Sequence, residues 1–504
     1  MILSTELLEA FWNYERALMA NDLEALDDLF APGDFTLRGD AAGILVGHDT
    51  ISGFRKGRGG APARTVLHVE IVEIDEDSAL VIAVTQPATG GRGQQTQLWD
   101  RADGVWAVRA AHVSLPAPAV NSTVWRVVGT PLVAGAPSGP LAGETVAVKD
   151  LYAVAGFAVG AGIPAFLAAS ETATISSPAV QALLDAGAAV TGIAQTDEFA
   201  YSIAGRNPHY GTPPNPAVVG GVPGGSSSGP ASAVALGQAS IGLSTDTAGS
   251  IRVPASYQGL WGLRTTHGSV PATGLLPLAP TFDAPGWITR SSDVLRSAVS
   301  VTLPIHAPAG TFVLDPDLVA QAEPDVRTAF DQFVFSRDFD LVDLGDPQEF
   351  FETFRTVQQA EAWRVHGPWI EAHPGALGDD VAARFELASR VTPAQEENAR
   401  FALARLRNHL DGILGDRVLL VPSASSTAPS VFADAELIER TRQGTLRMTA
   451  VAGLTGRPAL SAPLLGVPQK GALLPAPVGL CLVGPRNSEL ALIALAEALA
   501  QRSA

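Results

Sequence analysis

The chain has 504 residues, 46% hydrophobic and 17% charged, with a formal net charge of −18. That is too long for one ordinary core and is neither a disordered nor a fibrous composition, so two domains, or one large domain with an appendage, are expected. An acidic chain repels nucleic acid and anionic lipid, which removes both as expected partners.

The N-terminal stretch MILSTELLEAFWNYERALMA mixes Glu with apolar residues and reads as an amphipathic helix, not a signal peptide. Residues 3–30 are helical in pattern, with Leu7, Ala10, Phe11, Tyr14 and Leu18 on one face. A short helix is expected from His48 to Arg58. RTVLHVEIVEI, SALVIAVTQ, GQQTQLWDR and VWAVRAAHVSL then read as strands separated by the turn signals Asp-Glu-Asp, Gly-Gly-Arg-Gly and Ala-Asp-Gly. Helices followed by an antiparallel meander describe a small α+β domain over residues 1–118. Two Pro/Ala/Gly-rich stretches mark residues 119–143 as a linker.

From Thr145 the pattern changes. TVAVK is a continuously apolar strand, SPAVQALLDAG a helix, AAVTGIAQ a strand, PASAVALGQ a helix and ASIGLSTD a strand. This alternation predicts an α/β domain over 144–504, a mixed or parallel sheet covered by helices. Residues 322–415 are mostly helical, VLLVPSAS, PALSAPLL and VGLCLVG are late strands, and SELALIALAEALAQ closes the chain. No apolar run is as long as a membrane span. One cysteine, Cys481, precludes an intrachain disulfide and points to the cytoplasm. The nine histidines show no metal-ligand spacing such as H-E-x-x-H.

Two Gly/Ser turns hold the chemistry. GGSSSG (224–229) lacks the lysine of a phosphate-binding loop, and it follows a proline-containing loop where a nucleophile elbow needs a strand. A flexible linker is the plain alternative, but a helix, a strand and a second turn, STDTAGSIRVP (244–254), follow it. There a strand runs into small residues, with a helix expected from Ser250. The backbone amides of Thr247, Ala248, Gly249 and Ser250 would aim at one point, which suits an oxyanion beside a Ser250 nucleophile. Its base would be lysine rather than histidine.

Lysine is scarce here, at Lys56, Lys149 and Lys470 only. Lys149 ends an apolar strand, where desolvation can bring its pKa from ~10.4 toward neutrality at a cost of about 4 kcal/mol. Arginine would stay protonated there. The competing role for Lys149 is an ion pair with Asp150, but adjacent strand residues point to opposite faces. A serine of the 226–228 loop could relay the proton between Lys149 and Ser250.

These residues resemble the amidase signature family, from about residue 130 to the end. VAVKDLYAVAG, AQTDEFAYSIAGRNPHYGTPPNPA, GGSSSGPASAVA, LSTDTAGSIRVPASYQGLWGLR, VAGLTGRPALSAPLLGV and PVGLCLVGP carry the resemblance. It implies a Ser–cisSer–Lys triad: Ser250 as nucleophile, Ser226 as relay after a cis peptide bond, and Lys149 as base. Ser226 lies 24 residues before Ser250, the family's spacing. Thr247, Ala248 and Gly249 become oxyanion-hole donors, while Asp246 and Arg252 brace the turn.

The implied reaction is hydrolysis of a non-peptide C–N bond in a small amide through an acyl-enzyme, without metal or organic cofactor. The alternatives are a carbamate or ureido-acid (allophanate-like) hydrolase and an amidotransferase A-like subunit. Tyr201, Trp363 and Trp369 are candidate pocket aromatics. Ser228 and Pro230, Ala248, and Cys481 depart from the family's usual Gly or small residues, Gly, and Gln respectively.

Residues 4–115 resemble AtzH-like domains of the SnoaL/NTF2-type cone fold, on YERALMANDLEALDDLF, TLRGDAAGILVGHDTISGFRKGR, QTQLW and RAAHVS. That resemblance places Tyr14 and Arg38 in a polar pocket, with Arg55, Gln97 and His112 as further candidates. It implies a second hydrolytic pocket or an accessory domain, and it leaves a homodimer open.

Overall fold

The computed structural model describes residues 2–40, 43–61, 63–87, 93–114, 121–335, 339–469 and 474–501. It divides into two compact units, one up to Asn121, the other Ser122–Val467 together with Ala476 onward.

In the first unit, the helical pattern of residues 3–30 is split in two. Helix Ile2–Ala20 ends where Asn21 takes a φ of 54°, and Asp22 caps helix Leu23–Asp28 by accepting from the Ala25 amide at 3.1 Å. Strands β1 (Leu37–Asp40) and β2 (Gly43–Val46) precede helix His48–Gly57. Strands β3 (Arg64–Glu73), β4 (Ser78–Pro87), β5 (Gly93–Ala102) and β6 (Val105–Ser114) form the expected meander. The sheet order is β2-β1-β6-β5-β4-β3, with β1 parallel to β6. Asp103 and Gly104, at φ 51° and 80°, make the two-residue β5–β6 turn that an Asp-Gly pair favours. Leu7, Phe11, Leu26, Ile51, Val81, Trp99 and Val108 fill its core. The Gly-Gly-Arg-Gly turn at 90–93 falls almost wholly outside the described residues, as do Lys470 and residues 115–120.

The second unit carries an eleven-stranded mixed sheet. Its strands are β7 (Trp125–Val133), β8 (Thr145–Lys149), β9 (Ala189–Ala194), β10 (Ile241–Asp246), β11 (Trp261–Arg264), β12 (Ala284–Thr289), β13 (Phe312–Leu314), β14 (Asp340–Leu341), β15 (Val418–Pro422), β16 (Ala459–Val467) and β17 (Ala476–Val483). The order is β14-β13-β15-β17-β16-β11-β12-β10-β8-β9-β7.

The stretch expected as a linker, 119–143, is therefore corrected. It contains β7, paired antiparallel with β9. Its apolar, β-branched WRVV run outweighs the Pro and Gly around it, and Val124 and Trp125 are buried.

At the centre, β8 lies between β9 and β10 and runs parallel to both. Every residue from Val146 to Lys149 is buried, so this strand can be apolar throughout. The same arrangement delivers three chain segments to one edge: Lys149 ends β8, the turn after Asp246 ends β10, and Gln195–Asp197 leave β9.

Candidate active site

Lys149 is fully buried, and its amine reaches the hydroxyls of Ser226 at 2.8 Å, Ser227 at 3.0 Å and Thr245 at 2.8 Å. It has no carboxylate partner within ion-pair distance among the described residues. The neighbouring Asp150 pairs instead with Arg126 on β7 at 2.9 Å and accepts the Gly160 amide at 3.0 Å. Burial pulls the Lys149 amine down to about 7, against the opposing charges of Asp197, Asp246 and Asp283. Near neutrality a large share of the amine is therefore uncharged, with two N–H donors and one lone pair. Ser227 donates its own proton to the Thr245 carbonyl at 3.2 Å, so it only accepts from the lysine. The lone pair is left for the hydroxyl of Ser226 or Thr245.

The serine loop is held tightly. The Gly225–Ser226 peptide is cis. The Gly225 amide donates to the Ile203 carbonyl at 2.8 Å, and the Ser226 carbonyl accepts from Thr196 Oγ1 at 2.9 Å and the Asp197 amide at 3.3 Å. Position 225 admits only glycine: a Cβ there would lie 2.3 Å from Asp197 Oδ2. Helix Ser228–Ala235 starts directly behind.

Ser250 enters from the other turn. It is 3% exposed, and its carbonyl accepts the Ser227 amide at 3.3 Å, which fixes the two turns side by side. The Ser226 and Ser250 hydroxyls share no hydrogen bond. Asp246 organises this turn: its carboxylate accepts the amides of Gly249 at 2.9 Å and Ile251 at 3.2 Å, and it pairs with Arg252 at 2.9 Å. Arg264 Nη1 reaches it as well, at 3.4 Å. Burial by itself would raise this carboxyl, but the two guanidiniums and the amides hold it well below the usual carboxylate range.

Two expectations change. The Gly249 amide, expected to face an oxyanion, is taken by Asp246, because the turn folds back over that carboxylate. The amides of Thr247, Ala248 and Ser250 make no hydrogen bond within the described residues and remain available. The following helix runs Arg252–Gln258, two residues later than expected, because Gly249–Ile251 serve the turn.

Thr245, Asp197, Asp283 and Arg264 did not emerge from sequence reasoning, and Ser227 entered only as one of the serines of the 226–228 loop. Ser227 and Thr245 become partners of Lys149 only through the register of β8 with β10. Asp283 accepts Thr247 Oγ1 at 2.6 Å, across 36 residues.

Tyr201, Trp363 and Trp369 do come together, in one apolar cluster with Phe199 and Phe385. Trp369 stacks on His373 at 4.3 Å and meets Phe199 edge-on at 5.3 Å.

In the N-terminal unit, Tyr14 and Arg38 are both buried. Tyr14 packs on Phe30 at 6.1 Å, while Arg38 pairs with Asp40 at 2.7 Å. Arg55 and Gln97 are buried too, and Arg38 and Gln97 share a row across Ala111. His112 is exposed, one residue along β6 from Ala111, and so on the opposite face.

The described residues include no group of three or more His, Cys, Asp and Glu arranged to hold a metal. No described helix is long and apolar enough to cross a membrane.

Residues 130–328 match the Amidase family model, and residues 2–118 the AtzH-like one. The chain is similar to Amidase 1 of Arabidopsis thaliana, 33% identical over 403 residues, covering 71% of this chain and 93% of that one. It is similar to 2-amino-5-chloromuconic acid deaminase of Comamonas testosteroni, 33% identical over 398 residues, 73% of this chain and 83% of the relative. Among solved structures, an amidase crystal structure aligns with a TM-score of 0.65 at 26% identity, covering 76% of this chain and 92% of the other. Kluyveromyces lactis allophanate hydrolase aligns with a TM-score of 0.63 at 25% identity, covering 71% and 62%.

Proposed function

The chain belongs to the amidase family, and from that premise we propose a serine amidohydrolase that cleaves a small amide through an acyl-enzyme on Ser250. The observation that carries this reading is the buried, carboxylate-free amine of Lys149, 2.8 Å from the Ser226 hydroxyl. Ser250 Oγ attacks the substrate carbonyl. Its proton passes to Ser226, and Ser226 passes its own to the neutral Lys149. The tetrahedral oxyanion is taken by the free amides of Thr247, Ala248 and Ser250. On collapse, Lys149 returns a proton through Ser226 to the leaving amine, and water then releases the acyl group by the same path in reverse. The Ser226–Ser250 hydrogen bond forms when substrate is seated, since such contacts tighten in the reacting complex.

Asp246 and Arg252 are assigned to bracing the turn. Tyr201, Trp363 and Trp369 are assigned to the wall of the acyl or amine pocket. The single cysteine, buried at position 481, is consistent with a reducing compartment, and the cytoplasm is the proposed location.

Fluorophosphonate labelling and an aryl-amide assay test the mechanism. Wild type should label at Ser250 and turn over; Ser250→Ala and Lys149→Ala should fold and do neither. Near-normal turnover in either variant would end the proposal. The likeness to an allophanate hydrolase supports ureido acids and carbamates as the competing substrate class. A panel of amides, carbamates and ureido acids ranked by kcat/KM separates the two.

A further inference from the structure

Three carboxylates surround the buried amine, and their circumstances differ. Asp246, from the end of β10, is compensated by Arg252 and Arg264. Asp283, from the turn before β12, is occupied by Thr247 Oγ1 and by the amides of Leu278 at 2.9 Å and Ala279 at 3.0 Å. Asp197, from the turn after β9, is fully buried and meets no cation within ion-pair distance among the described residues. It accepts the Gly205 amide at 2.9 Å on Oδ2 and the Ser228 hydroxyl at 3.1 Å on Oδ1. Its own amide donates to the Ser226 carbonyl at 3.3 Å. Asp197 therefore grips the relay loop from both sides, and the charge of Lys149 acts on it.

We propose that Asp197 is a positioning residue for the relay: it holds the 225–228 loop against Lys149, and its uncompensated charge keeps that lysine a competent proton acceptor. This rests on the hydrolase reading. Burial pushes the Asp197 carboxyl up to about 6 while the Lys149 amine falls to about 7, so the two groups exchange protons over one narrow range. A dry pocket without that carboxylate would depress the lysine further and weaken it as a base. The other charged groups on these elements are committed elsewhere. Asp150 is paired with Arg126, and Glu198 accepts from His209 at 2.9 Å and from the Gly378 amide at 2.9 Å.

The low lysine count makes a direct test practicable. In protein labelled with 15N-lysine only three side-chain amines are present, and Lys149→Met identifies the buried one. In Asp197→Asn the titration midpoint of Lys149 should fall by about one pH unit or more. The acid limb of the kcat/KM profile should fall with it, since activity requires the neutral amine. Ser228→Ala removes a loop hydrogen bond but keeps the charge, and should leave the midpoint within a few tenths of a unit. An unmoved midpoint in Asp197→Asn would overturn the proposal. Should Asp197→Asn fail to fold, the wild-type Lys149 signal decides: it should show a second inflection as Asp197 titrates, and a single sigmoid would refute the pairing. The amine is observed whether or not any amide is turned over, so failure here is distinct from failure of the hydrolase reading.

Discussion

The turn at 246–252 and the loop at 224–228 lie side by side, yet they treat charge in opposite ways. In the first, one buried carboxylate is matched by two guanidiniums and several amides, and nothing there titrates near neutrality. In the second, one buried amine is met by three hydroxyls, with an unmatched carboxylate behind it. Saturated charge makes a rigid frame. Unsaturated charge makes groups that gain and lose protons at working pH, at a cost in stability.

The sharpest way to break the contrast is at the reacting groups. Ser250→Ala should reduce kcat by at least about 10⁴-fold with little effect on the melting temperature, measured on an aryl amide. Asp246→Ala should act on stability instead, lowering it by about 3–5 kcal/mol in urea unfolding, because it strands two buried guanidiniums.

Lys149→Met sharpens the comparison through pH. The folded amine titrates near 7, well below its unfolded value, so the unfolded chain binds more protons between those limits. The penalty for keeping this lysine is therefore full below about pH 7 and fades toward pH 10. The inactive variant should be more stable than wild type by about 2–4 kcal/mol near pH 7, with the gap closing as pH rises. Gly225→Ala should cost about 1–3 kcal/mol through its clash with Asp197. The smallest effect is expected for Thr245→Val, which removes one hydroxyl partner of the amine and should lower kcat up to about tenfold.

Much of the scaffold was legible because local signals agree with it. The Asp-Gly turn, the apolar TVAVK strand and the alternation after Thr145 each have a short-range cause. Strands β1 and β2 escaped, being four residues long and including the poor strand formers Gly39, Asp40 and Gly43. Strand β7 was hidden by the prolines and glycines beside it. At the site, Lys149, Ser226 and Ser250 stand out as a rare residue type and two Gly/Ser turns. What pattern cannot carry is direction. Nothing in STDTAGS tells which amide turns inward, and only the folded turn gives Gly249 to Asp246. Likewise, Thr245 meets Lys149 because β8 and β10 run parallel in register, a relation between residues 96 apart.

The seclusion of Lys149 has a practical side. Lys56 lies exposed on helix His48–Gly57, whereas the amine at the end of β8 is shut away from solvent. Acylating reagents used to tether enzymes to beads should therefore reach Lys56 and spare the reacting lysine. The preparation would keep its proton-accepting amine unmodified.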